Sequence, residues 1–115
     1  MNLLWGDAMY SVVLCDDDEI ILEGLSEFIQ QEIPDVCLAA SASNGVSCKA
    51  SLHEIKPDIL ITDIRLPDCL GFDLIECAYE VNENTSIIII SGYDDFKYAQ
   101  NGVKIKALLD IFPSH

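Results

Sequence analysis

A largely apolar run from Tyr10 to Cys15 stops at four consecutive acids, Asp16, Asp17, Asp18 and Glu19. This junction constrains the chain more than any other stretch. A short apolar run containing the β-branched Val12 and Val13 reads as a buried strand. The abrupt charge marks where that strand reaches a surface. In an open α/β sheet, ligands bind at the C-terminal ends of the strands. Several acids crowded there repel one another unless a cation or solvent compensates them. Two further apolar runs end in the same manner: Ile59 to Ile61 in Thr62-Asp63, and Ile87 to Ile90 in Ser91-Gly92. Three strands thus deliver an acid cluster, a single aspartate and a hydroxyl to one sheet edge.

Between these strands the apolar period changes. Ile21, Leu22, Leu25, Phe28 and Ile29 recur at helix spacing, so residues 18–31 form a helix with acids on its other face. Asp17 or Asp18 caps it, and Pro34 ends it. Val36 to Ala40 reads as a short strand, Ser43-Asn44-Gly45 as a turn, and Val46 to Ile55 as a weaker helix closed by Lys56-Pro57. Asp58 to Thr62 is the next strand, apolar on both faces as a central parallel strand is. The loop Asp63 to Leu70 contains Pro67. Gly71 starts a helix whose apolar side is Phe72, Leu74, Ile75, Ala78 and Val81. Ser86 to Ile90 is the most apolar strand. Asp94 or Asp95 caps a helix to about Asn101, and Ala107 to Phe112 is a last strand. Alternating βα units imply a parallel sheet with helices on both faces, and right-handed crossovers leave few topologies.

With 115 residues the chain suits one domain. Residues 1–8 have no clear period and are read as a leader, with the domain spanning residues 9–115. The 20 acids and 6 bases leave a formal net charge of −14. That charge argues against direct nucleic-acid binding and suits a cation or a basic partner surface. No apolar run approaches the length of about 18 residues that spans a membrane. Nor does the N-terminus carry a signal-peptide pattern, so a cytoplasmic location is expected. Five cysteines at irregular spacing, with no C-x-x-C pair, read as free thiols of a reducing compartment rather than as a zinc site.

Three motifs in order, VVLCDDDEIILEGL, DILITDIRLPDCLGFDLI and IIIISGYDDFKYA, resemble the receiver domain of two-component response regulators. The wording ITDIRLP and SGYDDFKYA is most similar to receivers fused to AraC-type DNA-binding domains. The resemblance implies a flavodoxin-like, doubly wound α/β fold with a five-stranded parallel sheet of order 2-1-3-4-5. The last helix of that fold has no counterpart in this sequence. By the same resemblance, Asp63 takes a phosphoryl group from a sensor histidine kinase, and Mg²⁺ is the cofactor. Asp17 ligates the metal directly, Asp16 through water, Asp63 through its second oxygen, and Arg65 through its backbone carbonyl. Ser91 bonds a phosphoryl oxygen and moves on activation. Arg65 and Tyr93 occupy positions that tune the loss of the phosphoryl group. Asp18 and Glu19 are read as N-terminal helix acids, and Thr62 as a locally bonded residue. The resemblance admits a homodimer and an output domain that lies outside this chain.

One part of the pattern departs from the family. The lysine expected at the end of the fifth strand falls on Pro113 or Ser114, and the aromatic switch residue on Asp110 or Ile111. Lys104 and Lys106 lie too early. A truncated, non-switching interaction module is therefore the alternative to a phosphoacceptor that signals. A dehalogenase-like hydrolase would need a second acid two residues beyond Asp63, where Arg65 stands.

Overall fold

The computed structural model describes residues 10–90. The expected leader, Ser91, Tyr93, the helix near 94–101, Lys104, Lys106 and the strand at 107–112 lie outside the described residues. Within them the elements run β1 (Tyr10–Cys15), α1 (Glu19–Glu32), β2 (Val36–Ala42), α2 (Gly45–Ile55), β3 (Ile59–Asp63), α3 (Gly71–Val81) and β4 (Ser86–Ile90). All strand pairs are parallel, and their order is β2-β1-β3-β4. These are the first four places of the expected order.

Local chemistry sets most boundaries. Asp18 stands in extended conformation before α1, and its carboxylate accepts from the N–H groups of Ile20 at 3.0 Å and Ile21 at 3.3 Å. That satisfies two of the donors a helix start leaves unpaired. Asn44 does the same for α2 through Ser47 N–H at 2.8 Å. Lys56 closes α2 in the left-handed region, φ 51°, with its N–H bonded to the Leu52 carbonyl at 2.9 Å. α1 lies one residue later than expected and α2 starts one residue earlier, at Gly45, and two strands also differ. β2 continues to Ala42, because Ser41 and Ala42 pair with Leu14 and Cys15. Pairing with a neighbour carries a strand through small residues that have little strand preference of their own. β3 runs one residue later than expected, ending at Asp63, which pairs with Ile90.

The main core lies between the sheet and α2 and α3. Val13, Leu60 and Ile87 stand side by side across β1, β3 and β4. Leu52, Leu74, Ile75 and Ala78 complete the same buried cluster. Burying each of the larger side chains contributes about 1.5–3 kcal/mol. α1 packs on the other face, against β1 and β2, with Ile29 buried. No helix among the described residues is long and apolar enough to cross a membrane.

Candidate functional site

The register of two neighbouring strands builds the site. Cys15 of β1 stands opposite Thr62 of β3, so the next residues, Asp16 and Asp63, emerge side by side. Asp17 follows, and carboxylate oxygens of Asp16, Asp17 and Asp63 all lie within 4.8 Å of one another. Asp18 and Glu19 belong to the start of α1 instead, as its cap and first-turn acid. There they favour the positive end of the helix dipole.

The three carboxylates differ in environment. Asp17 is exposed, Asp63 is half-buried, and Asp16 is 1 % exposed. Oδ1 of Asp16 accepts the Asp18 N–H at 2.8 Å. Its Oδ2 is buried with no hydrogen-bond partner among the described residues. Burial pushes the Asp16 carboxyl above the usual range. The Asp18 N–H opposes the shift, and the charges of Asp63, Asp17 and Asp18 add to it. A buried, orphaned carboxylate oxygen facing like charges is costly on its own. Three hard oxygen donors around it suit a small divalent cation such as Mg²⁺.

The backbone holds Asp63 closely. Its Oδ1 accepts the Ile64 N–H at 2.7 Å, and the buried Thr62 hydroxyl donates to its carbonyl at 2.9 Å. The start of α3 lies against the same carbonyl. A Cβ on Gly71 would run into the Asp63 oxygen, so glycine is needed for this approach. The residues between them form a small hairpin. Arg65 bridges to Leu70 in antiparallel fashion, and Leu66 N–H donates to the Cys69 carbonyl at 2.9 Å. Pro67 and Asp68 form its exposed tip.

Asp68 is the site feature that sequence reading missed. Its carboxylate accepts the first N–H groups of α2, from Gly45 at 2.7 Å and Val46 at 3.0 Å. Those two bonds hold its carboxyl below the usual carboxylate range. Gly45 makes room for the contact, since a Cβ there would meet Cys69 Sγ and lie 3.0 Å from Asp68 Oδ1. Nothing local in the sequence signals a bond across 23 residues.

All five cysteines are free thiols. Cys15 Sγ lies 3.7 Å from the Asn44 carbonyl, and Cys77 Sγ lies 3.7 Å from His53 Nε2. The contact with Cys15, together with burial, pushes the Cys48 thiol far up. Such thiols are packing residues rather than nucleophiles. Among the described residues no His, Cys, Asp or Glu group other than the Asp16–Asp17–Asp63 cluster places three ligand atoms together.

Comparison with known proteins agrees with this geometry. A family profile described as the response regulator receiver domain matches residues 12–111. The chain is 35% identical over 96 residues to an uncharacterized response regulatory protein of Staphylococcus epidermidis, covering 84% of this chain and 38% of that protein. It is 36% identical over 96 residues to the transcriptional regulatory protein HptR of Staphylococcus aureus, covering 84% of this chain and 37% of HptR. It therefore spans well under half the length of these relatives. Among solved structures, the REC domain of AraT, a response regulator from Geobacillus stearothermophilus, superposes with a TM-score of 0.72 at 33% identity. That match covers 79% of this chain and 70% of the AraT chain. The strand order, the convergent aspartates and the profile match together place this chain in the response regulator receiver domain family.

Proposed function

We propose that the chain accepts a phosphoryl group on Asp63 from a sensor histidine kinase, with Mg²⁺ as cofactor, and signals through the resulting change of conformation. The convergence of Asp16, Asp17 and Asp63 around an orphaned, buried Asp16 oxygen carries this reading. Asp16, Asp17, Asp63 and the Arg65 carbonyl hold the metal, which when bound neutralises charge on the transferring group.

The chain's own residues do the rest. A carboxylate oxygen of Asp63 attacks phosphorus as the bond from phosphorus to the kinase imidazole breaks. The bonding electrons stay on that nitrogen, which takes a proton from solvent. Ile64 N–H holds the carboxylate and the Thr62 hydroxyl holds the backbone carbonyl of Asp63, so that the attack needs little reorientation. Ser91 then bonds a phosphoryl oxygen. It follows Ile90, which pairs with Asp63 in the sheet. An acyl phosphate is high in energy and can bias a two-state element. The receiver of that change is a DNA-binding output domain outside these residues, a reading supported by the similarity to a transcriptional regulatory protein.

Acetyl phosphate with Mg²⁺ is expected to add one phosphoryl group by intact mass. Chelation of the metal is expected to prevent the addition, and Asp63→Asn to abolish it. An adduct that persists in Asp63→Asn would mean that another residue is the acceptor.

A further inference from the structure

We infer that Asp68 is a positioning residue for the metal and phosphoryl site, although it touches neither: from the hairpin tip it fastens the loop after Asp63 onto the start of α2. The inference rests on the metal-binding reading given above.

The two anchors of the hairpin are unlike. Its base is tied by covalent continuity to Asp63 and by the contact of Gly71 with the Asp63 carbonyl. Its stem has the bridge Arg65 to Leu70 and backbone bonds from Leu66 N–H to the Cys69 carbonyl and from Gly71 N–H to the carbonyl of buried Ile64. These contacts and the packing of Leu66, Cys69 and Leu70 on the core hold the base and stem, whereas the tip, Pro67 and Asp68, is exposed. The tip has its own attachment through Asp68, at 2.7 Å and 3.0 Å to Gly45 and Val46 N–H. A carboxylate suits this bond because the helix start presents donors and a positive dipole end. α2 in turn is anchored in the core by Cys48 and Leu52, both fully buried. Asp68 therefore adds, at the exposed tip, a second tie from the core to the segment that carries Arg65, the residue whose carbonyl completes the metal set.

Gly45 supports the same conclusion independently. Residue 45 has no side chain where any Cβ would collide with Cys69 Sγ, the residue beside Asp68. The helix start is shaped to receive this loop. Asn44 already caps α2 through Ser47 N–H. The helix thus has a cap of its own, and Asp68 adds a tie to the loop.

The test compares Asp68→Ala with Asn44→Ala in the full 115-residue chain. Asp68→Ala removes two bonds to the first turn of α2 and Asn44→Ala one, but only Asp68→Ala frees the hairpin tip. For each chain, the Mg²⁺ concentration giving half-maximal phosphorylation by acetyl phosphate is measured, along with the yield at saturating Mg²⁺ and the melting temperature. Asp68→Ala is expected to raise the Mg²⁺ requirement about tenfold, as loss of an outer supporting contact does. Its yield at saturation is expected to be preserved. Asn44→Ala is expected to lower the melting temperature and leave the Mg²⁺ requirement within about twofold of the parent, because its bond lies outside the loop. Asp68→Asn, which keeps one acceptor oxygen, is expected to fall between the parent and Asp68→Ala. An Mg²⁺ requirement that Asp68→Ala leaves unchanged, or that Asn44→Ala raises equally, overturns the inference and leaves the metal site standing. A parent chain that takes up no phosphoryl group with Mg²⁺ overturns the functional reading and this inference with it.

Discussion

Replacing Asp16 by Asn should stabilise the metal-free chain, although it damages the metal site. The substitution keeps Oδ1, which accepts the Asp18 N–H at 2.8 Å. It exchanges the orphaned Oδ2 for an amide that can donate to Asp17 or Asp63, whose oxygens lie within 4.8 Å. At that separation one pair of unit charges repels by about 3.5 kcal/mol at an effective dielectric of about 20, suited to half-buried Asp63. For exposed Asp17, in nearly bulk water, the figure is about 0.9 kcal/mol. Screening at physiological salt, with a Debye length of about 8 Å, trims the sum to about 2 kcal/mol. For a domain of this size that raises the melting temperature by about 8 °C.

The pH dependence carries a sign. Burial and its neighbours raise the pKa of folded Asp16. The folded state is thus penalised only when Asp16 is ionised. The metal-free parent loses this stability as pH rises from the ordinary carboxylate range through the folded pKa of Asp16. The advantage of Asp16→Asn should therefore shrink as pH falls into that range. Mg²⁺ acts in the opposite sense. At about a hundred times its dissociation constant it stabilises the parent by about 2.7 kcal/mol, and the variant gains less. Thermal melts at neutral pH, at acid pH and with Mg²⁺ test all three points. A metal-free Asp16→Asn chain that melts at or below the parent at neutral pH would refute the repulsion on which the site reading depends.

Other substitutions probe the frame around the site. Gly71→Ala should push the start of α3 off the Asp63 carbonyl, costing about 1–3 kcal/mol by denaturant titration and slowing phosphorylation. Leu60→Ala removes a fully buried side chain from the centre of the sheet and should cost about 2–5 kcal/mol, with the midpoint shifted and the slope unchanged.

Among the described residues the strands and helices were legible because their signals are local. Apolar runs that stop at Asp16 and Asp63, and helix periods behind Asp18 and Gly71, can be read without knowing what lies nearby. Alternation and handedness gave a parallel sheet with few topologies, and the resemblance supplied the strand order. The three motifs then identified the family, and with it the residues to watch. The capping role of Asp18 was also visible, as one of two candidates, since a cap bonds to residues just after it.

Tertiary structure decided which acids belong together. Four adjacent acids look alike in sequence, yet the register of Cys15 against Thr62 sets Asp16 beside Asp63, and the turn into α1 takes Asp18 and Glu19 away. It also decided that Asp16 is buried while Asp17 meets solvent, which depends on the Ala42 end of β2 packing beside it. Asp68 gave no local signal, because its partners Gly45 and Val46 belong to another βα unit. Hydrophobic periodicity reports which face of an element is buried. Strand register and bonds between loops arise only when separate units close on one another, so they appear first in the folded chain.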